Sequence, residues 1–466
     1  MHRFPQRILT AFICLTLIGG LAACDDDSPV SSDARNDPRY LSGGKTTIFS
    51  NTTKAFSFPA PNLVGARLEQ HLEGDANFEL EFVSAPAPVN SGLGPLFNSN
   101  SCISCHPADG RGTTPHPGAS PFSLLLRISQ PGSNSDVPGG PRPVDGFGLQ
   151  LQNQSLFGVQ PEGRVHIDYA VEQGRFSDGE TYELRRPTVR IEDTYIPLPG
   201  DVMISPRIAQ PVFGRGLLEA IPEEDIRALA DPFDADGDGI SGRVNEVWDV
   251  EQQRVRMGRF GWKANQPSLR QQAAAAFNGD MGVTSDLFRL ENSHGQPQSD
   301  GFGDDPEIDD ELLESVVVYV QTLAVPARRN LDDPAVKRGK MLFNEARCEG
   351  CHTPALRTGA FPDSPELEFQ DIQPFTDLLL HDMGEELADW RPDYLADGRE
   401  WRTPPLWGLG LTRLIHGELR LLHDGRAHTL TEAIMWHGGE AEFSREYFAG
   451  LPKADRDAML AYLGSM

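Results

Sequence analysis

Apolar positions along the chain fall into a few clear patterns. Residues 8–23 form a continuous apolar run behind Arg3 and Arg7 and end in small residues. That is the pattern of an export signal and not of a membrane span. From 55 to 83, short apolar and polar runs mix without a period. Leu96 and Phe97, after Gly92-Leu93-Gly94-Pro95, predict a short helix leading towards Cys102. Helical spacing returns over 214–230, through Leu217, Leu218, Ile221, Ile226 and Leu229. It is strongest over 308–323, where Leu312, Leu313, Val316, Val317, Val320 and Leu323 keep the 3.6-residue period until Pro326. Ser268 is an N-cap for the Ala-rich run that follows, which ends at 278–282. Asp333-Pro334 opens a further helix by the cap-then-proline pattern. Thr429 and Glu432 form a capping box for a helix that must stop at Gly438-Gly439. Residues 452–463 place Met459, Leu460 and Leu463 on one side of a closing helix. With 46 Gly and 37 Pro, much of the remainder reads as loop. The expectation is a mainly α protein of two small helical domains, 54–328 and 329–466, with loop-rich insertions.

Composition narrows the partners. The chain has 466 residues, 39% of them hydrophobic, enough for two or three cores. A formal net charge of -27 excludes nucleic acid as a natural partner. It suits a basic electron donor or a small neutral or cationic substrate, and it also suits plain solubility. Of six cysteines, Cys14 lies in the apolar run and Cys24 ends Leu21-Ala22-Ala23-Cys24. That sequence resembles a bacterial lipobox, which implies cleavage before Cys24 and a lipid on it. An ordinary signal peptide beside an unrelated cysteine is the alternative. Residues 1–23 are then a lipoprotein signal peptide and 24–53 a polar tether. Asp25 directly after Cys24 resembles an inner-membrane retention signal. The expected location is outside the cytoplasm, on a bacterial membrane facing the periplasm.

The other four cysteines change the picture most. Cys102-Ile103-Ser104-Cys105-His106 and Cys348-Glu349-Gly350-Cys351-His352 are two Cys-x-x-Cys-His motifs, the pattern of covalent c-type haem attachment. In it the cysteines bond the haem vinyl groups and the histidine, His106 or His352, reaches the iron. Zinc would need four ligands, so the two distant pairs would have to meet. A thioredoxin-like dithiol would need a βαβ setting that is not visible. For the second position on the first iron, His116 and His166 are the nearest downstream candidates, and an open position is the alternative. Beyond the second motif stand His381, His416, His423, His428 and His437. His437 falls at a helix C-terminus beside a glycine turn, a placement that can present an imidazole to a haem. Asp234, Asp236 and Asp238, with Gly239, form the first half of an EF-hand-like loop. Position twelve would be Asn245, so a related Ca²⁺ loop or an acidic solvent loop remains.

These motifs, together with Gly216-Leu217-Leu218-Glu219-Ala220-Ile221-Pro222, Gly258-Arg259-Phe260-Gly261-Trp262-Lys263-Ala264, Phe375-Thr376-Asp377, Leu380-His381-Asp382-Met383-Gly384, Arg402-Thr403-Pro404-Pro405-Leu406 and His423-Asp424-Gly425-Arg426-Ala427, support a family resemblance. The chain resembles the di-haem cytochrome c peroxidase superfamily. Within it, it is most similar to the branch called di-haem oxidoreductase, putative peroxidase, or thiol oxidoreductase. The resemblance covers nearly all of the mature chain and implies two cytochrome c-like domains. It also implies that the helix over 430–434 brings the distal ligand, His437, to the C-terminal haem. The peroxidases have Met there, and imidazole in its place should lower that haem's potential. Residues 269–282 look like the segment holding a distal Gln and a catalytic Glu, here Gln272 and Asp280. The function implied is a peroxidase-like oxidoreductase. Peroxide or another small substrate would bind at the N-terminal haem, and a small redox protein or quinol-linked donor would feed the C-terminal one. A non-catalytic di-haem electron carrier is the alternative.

Overall fold

The long helices form where the apolar period is strongest. Asp309 caps Asp310–Thr322, accepting from the Leu312 amide at 2.9 Å. Asp333 caps Pro334–Glu345 through the Ala335 amide at 2.7 Å. Ser268 caps Leu269–Met281 through the Gln271 amide at 3.2 Å. Asp310–Thr322 packs its apolar face on Ala66–Phe78 and on Leu269–Met281. Pro334–Glu345 packs on the closing helix Lys453–Gly464. Both pairs need glycine where they cross. A Cβ on Gly74 would stand 2.1 Å from the Ser315 carbonyl oxygen, and one on Gly339 would stand 2.0 Å from that of Ala458. Larger residues would force these helices apart.

The computed structural model describes residues 34–114, 123–134, 136–301 and 306–466. Cys14, Cys24, the signal segment and His116 lie outside them. Within the described residues the mainly α expectation fails: helix makes up 30% and strand 20%, spread over many small sheets. Leu124–Ser133 pairs with Met203–Ile208 and, on its other side, with Gln150–Leu151 and Pro141–Arg142. Leu124, Leu126 and Ile128 point into a core of their own with Phe147, Leu151 and Val165. Arg164–Arg175 and Thr181–Glu192 form a long antiparallel hairpin. Its far end leaves the first half of the molecule and inserts Phe176 beside Phe448, ring centroids 6.0 Å apart. The expected helix at Leu96 and Phe97 is instead a short strand paired with Gln154–Ser155. These residues obey a partner more than fifty positions away, and local spacing carries no trace of it.

Two boundaries also differ. Residues 42–50, expected in the tether, belong to the body: Thr47–Ile48 pairs in parallel with Val325–Pro326, and Ser42, Thr46, Phe49 and Ser50 are buried. The largest apolar core crosses residue 328, joining Phe56, Leu217, Phe277 and Val316 to Leu378 and Trp407. No described helix is long and apolar enough to cross a membrane.

Candidate functional site

Two cavities of similar size, about 1340 and 1390 Å³ out to their mouths, each hold one Cys-x-x-Cys-His motif. None of the four motif cysteines is in a disulfide among the described residues. Burial pushes Cys102, Cys105 and Cys348 up to about 12, so they are neutral thiols and poor metal ligands as they stand. His106 donates from Nδ1 to the Gln210 carbonyl at 2.7 Å, and His352 to the Phe375 carbonyl at 3.0 Å. Burial lowers both rings to about 4, so both are neutral with Nε2 left as a bare acceptor in the cavity.

The second cavity holds a third imidazole of this kind. The helix Leu430–Met435 is capped by Thr429, which accepts from the Glu432 amide at 3.0 Å. His437 follows it and donates from Nδ1 to the Ala433 carbonyl at 2.7 Å, again leaving Nε2 bare. Burial lowers its pKa, and it lines the same cavity as His352. The neighbouring histidines are committed elsewhere. His381 bonds Glu440 through Nδ1 at 2.7 Å and Asp377 through Nε2 at 2.8 Å. Burial opposes its charge, yet Cys351 and Asp377 hold the ring well above the ordinary imidazole value. His423 is stacked flat on Trp401 at 3.7 Å. His416 and His428 do not line the cavity.

The first cavity is different. Among the described residues His106 is the only histidine on its wall. His166 sits on the hairpin, 3.5 Å from Glu192, and does not line it. Gln272, Ala276 and Asp280, four residues apart, present one face of Leu269–Met281 to the cavity. Asp280 lies within the last helical turn and is not a turn residue. Its backbone carbonyl accepts from the Asn98 amide at 2.8 Å, which fixes it against the segment leading to Cys102. Burial raises its pKa, partly countered by Arg127 and by Gln150, whose Nε2 donates to Oδ1 at 2.9 Å. Gln272 lies two turns away, about 12 Å along the axis at 1.5 Å per residue, at the other end of the wall. The sequence reading missed Arg127. The alternation Leu124, Leu126, Ile128 into the small core turns Leu125 and Arg127 the other way, onto the cavity. Among the described residues its guanidinium has no carboxylate within salt-bridge distance.

The family described as "Di-haem oxidoreductase, putative peroxidase" matches residues 39–466. The chain belongs to this family. No curated protein and no solved structure matches it. Membership implies haem cofactors. The di-haem oxidoreductase's two cavities fit them: each has a thiol pair, apolar walls and at least one neutral imidazole with a free Nε2.

The Asp234, Asp236 and Asp238 carboxylates converge, with oxygens within 4.8 Å of one another. They also cap backbone amides, Asp234 that of Gly239 at 3.1 Å and Asp238 that of Ile240 at 2.8 Å. By sequence the loop falls within the 54–328 domain. It stands beside the second motif instead: Ile240 lines the second cavity, and Arg347, next to Cys348, donates to the Asp238 carbonyl at 3.1 Å.

Proposed function

We propose that this di-haem oxidoreductase is an exported, lipid-anchored c-type cytochrome of peroxidase type. One haem is attached through Cys102 and Cys105 with His106 to its iron. The other is attached through Cys348 and Cys351 with His352 and His437. The observation that carries the reading is the asymmetry of the cavities: two neutral imidazoles with Nε2 free in the second, His352 and His437, and one in the first, His106. Bound haem supplies the redox chemistry at both sites. His106 would hold the first haem, leaving room beside Asp280 for peroxide, and His352 and His437 would hold the second, which would serve as the electron relay.

In the first cavity Asp280 handles the proton. Its Oδ1 is held by Gln150, leaving Oδ2 to take a proton from one peroxide oxygen and return it to the departing one. Arg127 supplies positive charge beside it, and Gln272 lines the approach. Peroxide plus two electrons and two protons gives two waters. The electrons would come from a small redox protein or quinol-linked donor, and a haem held by His352 and His437 would supply the relay. Trp262, buried and on the wall of both cavities, is the side chain best placed between them. A cation in the Asp234 loop would brace the second motif through Arg347. Chelation should then lower the melting temperature and perturb the second haem's spectrum, and an unchanged melt would count against it.

One observation favours the carrier reading. Met281, at the end of the Asp280 helix, also lines the first cavity and could close its iron through sulfur. It is, however, 2% exposed and packed into the main apolar core. Absorption and electron paramagnetic resonance spectra of the holoprotein decide. The enzyme reading expects one high-spin ferric haem that shifts on adding peroxide. Two low-spin haems, inert to peroxide in the oxidised and half-reduced states, would sink it. His437→Gly should turn one low-spin haem high-spin; an unchanged spectrum rejects that ligand.

A further inference from the structure

The protein is strongly acidic, yet a cluster of arginines is buried between its two cavities. Arg215 and Arg402 are 7% and 1% exposed. Arg215 lines the first cavity, Arg402 the second, and Arg111 the second and the small void between the two. Among the described residues none of the three has a carboxylate within 4.0 Å. They bond to neutral oxygens: Arg111 to the Leu422 carbonyl at 3.1 Å, Arg215 to the Pro211 carbonyl at 2.8 Å, and Arg402 to the Gly261 carbonyl at 2.9 Å. Buried Arg207 and Arg426 are paired, with Asp393 at 2.7 Å and Asp424 at 2.8 Å, while buried Arg259 and Arg328, which also lack a carboxylate partner among the described residues, line neither cavity.

The three also repel one another. Burial, then Arg402 and Arg111, push Arg215 well below the ordinary guanidinium value, and only Arg402 feels a carboxylate, that of Asp377. Gln210 ties the cluster to the first site. Its backbone carbonyl holds His106, and its side-chain oxygen accepts from Arg215 at 2.8 Å and Arg402 at 3.1 Å. Its Nε2, a donor, is buried without a partner. Buried cations and an orphaned donor facing two cavities call for an anion.

We infer that Arg111, Arg215, Arg402 and the Gln210 amide form one shared carboxylate-binding cluster that receives propionate groups from both haems. The inference rests on the proposed attachment of one haem in each cavity. It accounts for the cluster's place. The motif thiols fix the vinyl edge of each haem, and Asp280, the anionic group of the first cavity, lies at that end, close enough to raise both Cys102 and Cys105. The cations lie on the side facing the other cavity, where both haems' carboxylates can share them. Bidentate guanidinium–carboxylate pairing is the strong form of such contacts. A shared cluster makes the two haems one electrostatic unit: changing one arginine alters both.

Spectroelectrochemical titration of the holoprotein tests this, with Arg215→Met, Arg111→Met and Arg215→Lys. Each Met variant should lower both reduction potentials, with the equilibrium moved tenfold or more, about 59 mV for one electron, and Lys should restore most of the shift. Arg215→Met moving only the first haem and Arg111→Met only the second, or neither moving anything at full haem content, overturns the proposal. If the Met variants do not load haem, the native protein still decides: infrared redox-difference spectra should carry propionate carboxylate bands on reducing either haem, and their absence overturns it. Adding acetate or phosphate to native holoprotein should leave both potentials unchanged. A saturable response, lost in Arg215→Lys, would assign the cluster to a free anion instead. Wild-type protein without covalent haem would refute the attachment reading itself, which a haem-stained denaturing gel reports separately.

Discussion

Asp280 is a carboxyl whose surroundings set it apart from the surface acids. Burial raises its pKa, while Arg127 and the Gln150 amide pull it back. A group that must be ionised to accept a proton loses function as pH falls through its pKa. The acid limb of peroxide turnover should therefore lie above the ordinary Asp range. Asp280→Asn should reduce turnover by about 10²–10⁴-fold, remove that limb and leave the haem spectrum intact; unchanged turnover removes Asp280 from the reaction. Arg127→Met withdraws the charge that favours the carboxylate, so the limb should move to higher pH, and an unmoved limb would show that the pair is not coupled. At this scale much was legible. The two motifs lie one in each cavity, and the capping box and glycine stop put His437 at a helix end, which lines the second cavity. Arg127 was not legible, because its importance comes from the strand register that pairs it with Ser205 and Gln150 and turns it onto the cavity.

The hairpin Arg164–Arg175 and Thr181–Glu192 carries contacts from the first half to the helix that presents His437. Arg185 bonds Glu432 at 2.7 Å, and the Arg185 amide donates to the same carboxylate at 2.7 Å. Glu432 is 1% exposed and also accepts from the His428 amide at 2.7 Å, so it locks the first turn of that helix. Arg185→Leu would leave a buried carboxylate short of its cation. Because Arg185 itself is partly exposed, the expected loss is about 1–3 kcal/mol, below the range for fully buried pairs. Chemical denaturation measures it. The same variant should raise the high-spin fraction of the second haem, as His437 releases more easily; lost stability with an unchanged spectrum would make the hairpin a brace only. Helices were legible because 3.6-residue spacing is local. The hairpin's alternation is also local, but its half-exposed strands carry few apolar residues. Two-residue strands such as Leu96–Phe97 exist only through their partners.

At the scale of the molecule the two halves are not separate beads. The main core, the strap at 42–50, bonded through the Lys45 amide to Gln370, and the hairpin, bonded through Arg185 to Glu432, all cross the expected boundary and tie the two cavities together. Trp262 stands at the crossing. Its indole Nε1 donates to the Ile208 carbonyl at 2.8 Å, at the end of the strand bearing Arg207. Its backbone carbonyl accepts from the Arg402 amide at 2.9 Å. Arg111 lies over its ring at 5.3 Å. A side chain fixed at both ends and facing two cavities is rigid, so its π-system keeps one orientation between the sites. Trp262→Leu should slow electron redistribution between the haems after rapid reduction of one, followed by time-resolved absorption. Leu keeps the site apolar but leaves a void, so a stability loss of about 3 kcal/mol is expected, and Trp262→Phe, which retains an aromatic ring, should lose less of both rate and stability. Neither substitution removes a charge, so both potentials should hold. An unchanged redistribution rate in both variants would place the route elsewhere, through the arginine cluster beside it.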